Sequence, residues 1–320
     1  MNARLKTLLI CAAAVALPAP LFAQDLTPSG ERILSDPTYL PLGGQIYGDT
    51  GFQYQDTGVT ASNGSNTRND EEVISQDLEY GLTNDITLEA SDTYAWDGIK
   101  VTPGTGAPYE RNSFGFTDPS FGVTWRALDE RNRQPVDLDF SVSYAPNIIS
   151  AANATPFSQG NVARGGDALD LRAALGWETR PFTVQGYVQD TRFGNATAGV
   201  IDGQVDTAAY WQPAIGISTQ TRIGPRLSVN VNGSYAFRET ESQYVTVGAG
   251  YPEFETVGDD GVLGAAVNYH FIPNRLVGSL GYQHTFYGEA DVAYPFTPAA
   301  DISRQRDGNG LTAQVRYVFP

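Results

Sequence analysis

The chain has 320 residues, with 36 Asp and Glu against 20 Lys and Arg and a formal net charge of −16. This acid excess argues against nucleic acid as a partner, because polyanion binding rewards basic surface. The only Cys, Cys11, and the only Met, Met1, both fall in the first 23 residues, so the chain beyond them has no disulfide framework and no thiol chemistry.

Residues 1–23 predict an export signal. Arg4 and Lys6 form a basic n-region, Leu8–Leu17 an apolar h-region, and Leu21-Phe22-Ala23 ends on a small residue, which places cleavage before Gln24. About ten apolar residues are too few for an anchor helix, which needs roughly twenty; no later stretch is long and apolar enough to be one. Cys11 is a poor lipoprotein site, because Ile10 before it is bulky and cleavage there would halve the h-region. Removing Arg4 and Lys6 takes the mature chain from −16 to −18, and Lys100 is then its only lysine. Residues 24–43 contain Pro28, Pro37 and Pro41 and read as an extended periplasmic segment, either a tail or a strap across a lumen mouth. Residues 44–320 read as one domain.

From Gly44 onward the hydrophobic period is two, the signature of strands with unlike faces. Ile46, Phe52 and Tyr54 oppose Tyr47, Asp49, Gln53 and Gln55 in the first strand; Ile74, Leu78 and Tyr80 oppose Ser75, Asp77 and Glu79 in the second. The third sets Ile86, Leu88, Ala90, Tyr94 and Trp96 against Thr87, Glu89, Ser91 and Thr93, and the fourth Phe121, Val123 and Trp125 against Thr124 and Arg126. The fifth alternates Val136, Leu138, Phe140, Val142 and Tyr144 with Asp137, Asp139, Ser141 and Ser143. Seven more follow, near Leu169–Glu178, Phe182–Gln189, Trp211–Gln220, Leu227–Arg238, Leu263–Phe271, Leu276–Phe286 and Leu311–Phe319. About twelve strands of about ten residues each match the length a tilted membrane strand needs.

Connection lengths alternate. Gly81–Asp85, Leu128–Pro135, Thr179–Pro181, Arg222–Pro225 and Ile272–Asn274 are short, whereas Pro146–Ala168, Thr240–Gly258 and Gly288–Asn309 are long and polar. Short periplasmic turns and long external loops are the outer-membrane pattern. Aromatics collect at both ends of the outward faces, Tyr80, Trp125, Trp177, Phe182, Phe271 and Phe319 at one and Phe52, Tyr54, Trp96, Tyr144, Trp211, Phe237 and Phe286 at the other. Two girdles suit amphipathic rings at two lipid interfaces, and a soluble sandwich has no reason to sort them so. The expected fold is all-β, an antiparallel up-and-down transmembrane barrel of about twelve strands.

Catalytic residues are scarce. His270 falls inward and reads as a hydrogen-bonding group of the lumen. His284 lies outward near the external rim, where outer-membrane phospholipases carry a His-x-Ser-Asn-Gly motif; here the serine position holds Phe286, so no nucleophile pairs with it. No His/Cys cluster suggests a metal, and no Gly-rich stretch has phosphate-loop context. The chain is therefore read as a non-enzyme without catalytic, cofactor-binding or metal residues. The informative polar groups are the expected lumen lining: Asp77, Glu79, Glu89, Asp137, Asp139, Asp170 and Glu178, with Arg126, Arg172, Arg238, Arg316 and His270. Charge in a narrow lumen must pair, so these residues form either a structural prop or a selectivity zone, the acid excess favouring cations in the latter.

Two stretches carry a resemblance. Glu79-Tyr80-Gly81-Leu82-Thr83-Asn84-Asp85-Ile86-Thr87-Leu88 resembles the E-Y-G-L-T-D-x-L-T-L hairpin of the family called "MetA-pathway of phenol degradation", whose members are assigned as outer-membrane transporters. Gly115-Phe116-Thr117-Asp118-Pro119-Ser120-Phe121-Gly122 resembles that family's G-x-G-D-x-x-L-G, with Thr117 in place of a glycine and Phe121 in place of a leucine. The resemblance implies uptake of small, often hydrophobic or aromatic, compounds and names no catalytic residue. Pro320 after Phe319 departs from the usual terminal aromatic read by the barrel-assembly machinery. The expected partners are outer-membrane lipids and lipopolysaccharide, that machinery and a small-molecule solute. The expected function is passive uptake through an outer-membrane channel; the alternatives are a non-conducting structural or surface-binding barrel with a salt-bridged lumen and, more distantly, a lipid hydrolase.

Overall fold

The computed structural model describes residues 33–155, 158–179, 181–200, 203–238, 240–247, 251–256, 258–293 and 302–319. The expected export signal 1–23, and residues 24–32 of the segment after it, lie outside the described residues.

Twelve strands form the staves of a closed wall: β1 (Ile46–Ala61), β2 (Asn66–Gly81), β3 (Ile86–Thr102), β5 (Ser120–Leu128), β6 (Asp137–Ala145), β8 (Ala168–Thr179), β9 (Phe182–Phe193), β12 (Tyr210–Arg222), β13 (Leu227–Ala236), β16 (Asp260–Ile272), β17 (Leu276–Tyr287) and β19 (Ile302–Phe319). Each pairs antiparallel with the next, and β19 returns to β1 over Ile46↔Phe319 through Ala61↔Arg304. Closure leaves no stave with an unpaired edge, the one arrangement by which strands can satisfy their backbone in lipid.

The burial pattern is inverted relative to a soluble protein. Ile74, Leu78, Leu88, Val142, Leu171, Val188, Val267, Leu280 and Leu311 are exposed, as are all four tryptophans, Trp96, Trp125, Trp177 and Trp211. The buried side chains are largely polar, among them Thr87, Gln185, Gln220, Ser228 and Asn268. An apolar surface outside and a polar filling inside define an object solvated by hydrocarbon on its flank. The aromatics predicted for both girdles are likewise exposed, except Tyr54, which is half-buried and donates to Asp70 at 3.1 Å.

The long connections differ from expectation. Thr240–Gly258 and Gly288–Asn309 are not simple loops, and the last strand begins at Ile302, nine residues before Leu311. Above the staves stand β4 (Tyr109–Phe116), β7 (Ala151–Ala152), β10 (Ala196–Val200), β11 (Gly203–Thr207), β14 (Thr240–Val247), β15 (Tyr251–Thr256) and β18 (Ala290–Ala293). They pair in series, β10–β11, β11–β14, β14–β15, β15–β18 and β18–β19, while β4 extends β3. Gly160 joins the remaining gap: it accepts from Phe114 and donates to Asn112 on β4, and Asn161 beside it donates to Ala152 of β7, which pairs with β10. The wall thus continues as a second storey. Its strands run only two to eight residues, too short for a sustained period-two signal to mark them.

Candidate functional site: a lumen with a floor

The short-turn end of the lumen is occupied by residues 33–41. Leu34, Ser35, Asp36 and Thr38 are almost fully buried. Leu34 packs with Tyr47 and Val277, beside Tyr39 and Val318, in the one compact apolar cluster among the described residues. Asp36 turns the segment back on itself, accepting from the N–H of Ile33 at 2.7 Å. Its carboxylate also accepts from Gln220 at 2.5 Å, Thr183 at 3.3 Å and Arg222 at 2.9 Å. Burial pushes the Asp36 carboxyl above its usual range, against the opposing pull of the Arg222 guanidinium. Ser35 meets His270 Nε2 at 3.2 Å and Ser228 at 3.3 Å. Gly176 makes room for Thr38: a Cβ there would stand 2.4 Å from Thr38 Cγ2.

Two arginines tie this segment to the wall. Arg126, whose side chain is wholly buried, grips Asp139 with Nε at 2.7 Å and Nη2 at 2.8 Å and donates to the Thr38 carbonyl at 2.7 Å. The bidentate pair is set by register, since Arg126 faces Asp139 directly across β5 and β6. Arg222 bridges Asp36 to Glu178, at 3.1 Å. The turn after β5 contributes Glu130, which is buried. Its N–H donates to Asp137 at 2.9 Å, and its carboxylate accepts from the Glu178 N–H at 2.9 Å. Burial raises the Glu130 carboxyl to about 7, helped by Asp137, Glu178 and Asp129 and opposed by that N–H.

Beside this floor stands a ladder of acids. Asp49 faces Asp77 across β1 and β2, and Glu79 faces Glu89 across β2 and β3. Like charges directly opposed are unfavourable, so the ladder needs cations. Arg316 supplies one, donating to Asp49 at 3.1 Å, while Thr124 hydrogen-bonds Glu89. Higher on the far wall, Asp170 accepts from Gln189 at 2.6 Å and Thr191 at 2.7 Å. Arg172 lies 4.0 Å over the Tyr187 ring, and that ring in turn lies across Gly216. Arg238 stands apart, near the long-loop end, paired with Asp260.

The predicted lumen residues therefore fall into separate groups. Arg126, Asp137, Asp139, Glu178 and His270 belong to the floor; Asp77, Glu79, Glu89 and Arg316 to the ladder; Asp170, Arg172 and Arg238 to the wall above. Sequence reading missed Asp36, Glu130 and Arg222. The spacing puts Arg222 in a turn, whereas it ends β12 and its side chain donates to Asp36. The inward position of Asp49 was legible, but not its pairing.

Above the ladder lies a cavity of 540 Å³ bounded by β1 to β4, β17 and β19. Among the described residues, no group of three or more His, Cys, Asp or Glu side chains could hold a metal ion. His284 is bonded to Asn309 at 3.0 Å and Asp307 at 3.2 Å, with Phe286 against its ring.

A closed antiparallel wall with an apolar flank and a polar interior is a transmembrane β-barrel of the Gram-negative outer membrane. Among solved structures the chain is similar to the COG4313 outer membrane channel from Pseudomonas putida F1, at 13% identity and a TM-score of 0.58, covering 88% of this chain and 97% of that one. It is also similar to the transport unit of the autotransporter AIDA-I from Escherichia coli, at 12% identity and a TM-score of 0.53, covering 96% and 97%. At these identities the likeness is one of fold. No protein-family model and no curated protein matches the sequence.

Proposed function

We propose that the chain is an outer-membrane channel for passive uptake of small solutes, hydrophobic or aromatic ones among them, and that it is not an enzyme. The observation that carries this reading is the 540 Å³ cavity inside a closed barrel, roughly the size of a small-molecule site. The likeness to a barrel described as an outer membrane channel supports it, as does the resemblance of residues 79–88 and 115–122 to the phenol-degradation family. In this reading residues 1–23 are the export signal, 24–43 lie on the periplasmic side with the short turns, and 44–320 form the barrel. Lipopolysaccharide surrounds the long-loop end, and the assembly machinery inserts the chain.

A solute that crosses must displace residues 33–41. That floor, with its buried ion pairs, favours the second reading, a non-conducting barrel. Single-channel recording separates the two. A channel shows rare openings in the wild type and sustained conductance once residues 24–41 are deleted. Leak-level current in both, from protein that migrates as a folded barrel, selects the non-conducting reading.

A further inference from the structure

We infer that the outer cavity is a binding site for small carboxylates with an apolar body, of the aromatic acid type; the inference takes the route of uptake from the channel reading, but not the binding itself. The first observation is a local reversal of charge. In a chain of net charge −16, the cavity lining holds Arg111, Arg304 and Arg306 against one acid, Glu71.

Register places these groups on successive rungs. One rung runs Arg306–Val59–Thr67–Val101–Tyr109 across β19, β1, β2, β3 and β4. The next rung down runs Thr57–Asn69–Ile99–Arg111, and the one below it Gln55–Glu71–Asp97–Ser113. Arginines thus bracket a short apolar wall of Val59, Val101 and Ile99, and two acids close it from beneath. Tyr109 and Tyr287 add ring surface. Asp260 lies in the field of Arg306 but is already paired with Arg238.

The second observation is an unmet donor. Arg111 Nε is buried with no hydrogen-bond partner, the guanidinium standing 5.9 Å from the Tyr109 ring centroid. Arg304 and Arg306 have other partners, yet a guanidinium carries five donors in a fork that matches a carboxylate. A purely apolar solute would leave Arg111 Nε unmet, and an inorganic anion would leave the aliphatic wall wet. One ligand class satisfies both: an anionic head at the arginines and a ring or short chain against Val59, Ile99 and Val101. Glu71 and Asp97 repel the head and so orient it away from the ladder.

The test is equilibrium binding to the full mature protein in detergent, which needs no conduction. Sodium benzoate, its neutral analogue benzyl alcohol and inorganic phosphate are titrated in turn. Saturable benzoate binding is expected, with benzyl alcohol weaker by about tenfold or more, the worth of a charge-assisted hydrogen bond, and phosphate not competing. Arg111→Gln and Arg306→Gln, each confirmed as folded by heat-modifiable migration, should each weaken benzoate and leave benzyl alcohol unchanged. Equal binding of benzoate and benzyl alcohol, equal competition by phosphate, or no saturable benzoate binding by the wild type overturns the inference. So does unaltered benzoate binding in both folded variants. Conductance without benzoate binding would remove this site and spare the channel; binding without conductance would do the reverse.

Discussion

At the scale of single residues, the position of a side chain relative to the wall decides what it costs. Val142 is exposed on the flank of β6, whereas Ser141 faces inward and meets Thr124 at 2.6 Å. Val142→Arg should therefore destabilise the barrel by roughly 2–4 kcal/mol, the cost of a cation at the bilayer midplane, and Ser141→Arg by less. Urea titration of vesicle-embedded protein measures both, and a larger loss at Ser141 would mean the two faces are exchanged. Glu130 makes a second case, outside the membrane. Its folded-state carboxyl titrates at about 7 against an ordinary 4.5, so the folded protein holds a proton that the unfolded chain releases. Stability should fall as pH rises from about 4.5 to about 7 and then level off. Between pH 5 and pH 8 the wild type should lose on the order of 2 kcal/mol more than Glu130→Gln; identical slopes would remove Glu130 as the cause. Side-chain direction at Val142 and Ser141 was legible from alternation alone. Glu130 was not, because a turn residue has no period to place it, and only the fold brings Asp137 and Glu178 beside it.

Among the elements, the segment 33–41 is the least regular and among the best buried. Pro37 and Pro41, with Pro28 before them, mark it as extended, but its place in the lumen depends on partners 88 to 235 residues away in sequence, Arg126, Thr183, Gln220 and His270 among them. No local pattern encodes such contacts. Gly176→Val should push Thr38 off the wall, since the clash at Cβ is with a threonine on a chain held by Arg126 and Arg222. A cysteine at Ser35 should then become reactive to a small thiol reagent in the variant background and stay protected in the wild type. Equal protection in both would mean that the floor does not depend on this fit. The upper-storey strands escaped prediction for the opposite reason. Ile302–Gly310 is polar on both faces, so nothing in it alternates, yet it continues β19 along β1 and β17. Arg304 and Arg306 were hidden in what read as loop, and Arg111 in the unrecognised β4.

For the whole molecule, the closed hydrogen-bonded wall predicts resistance to detergent. Unheated protein should migrate faster than boiled protein on a denaturing gel, and identical mobility would contradict closure. The twelve staves and the outward tryptophans were legible because the bilayer enforces one period over the whole wall. The charge of the lumen was only half legible: the expected lining mixes seven carboxylates with four arginines, an acid excess, whereas the cavity above the ladder is lined by three arginines and one glutamate. Two opposite fields are thus stacked along one axis. The scarcity of lysine has a practical side. If cleavage follows Ala23, Lys100 supplies the mature protein's only ε-amine. It sits on β3 between Ile99 and Val101, which line the cavity, while its own side chain is 58% exposed beside Asp70. An amine-reactive dye would then mark that spot and the chain's α-amine alone. The unmutated protein thus comes with a handle for a fluorophore one strand-thickness behind the wall a solute would touch.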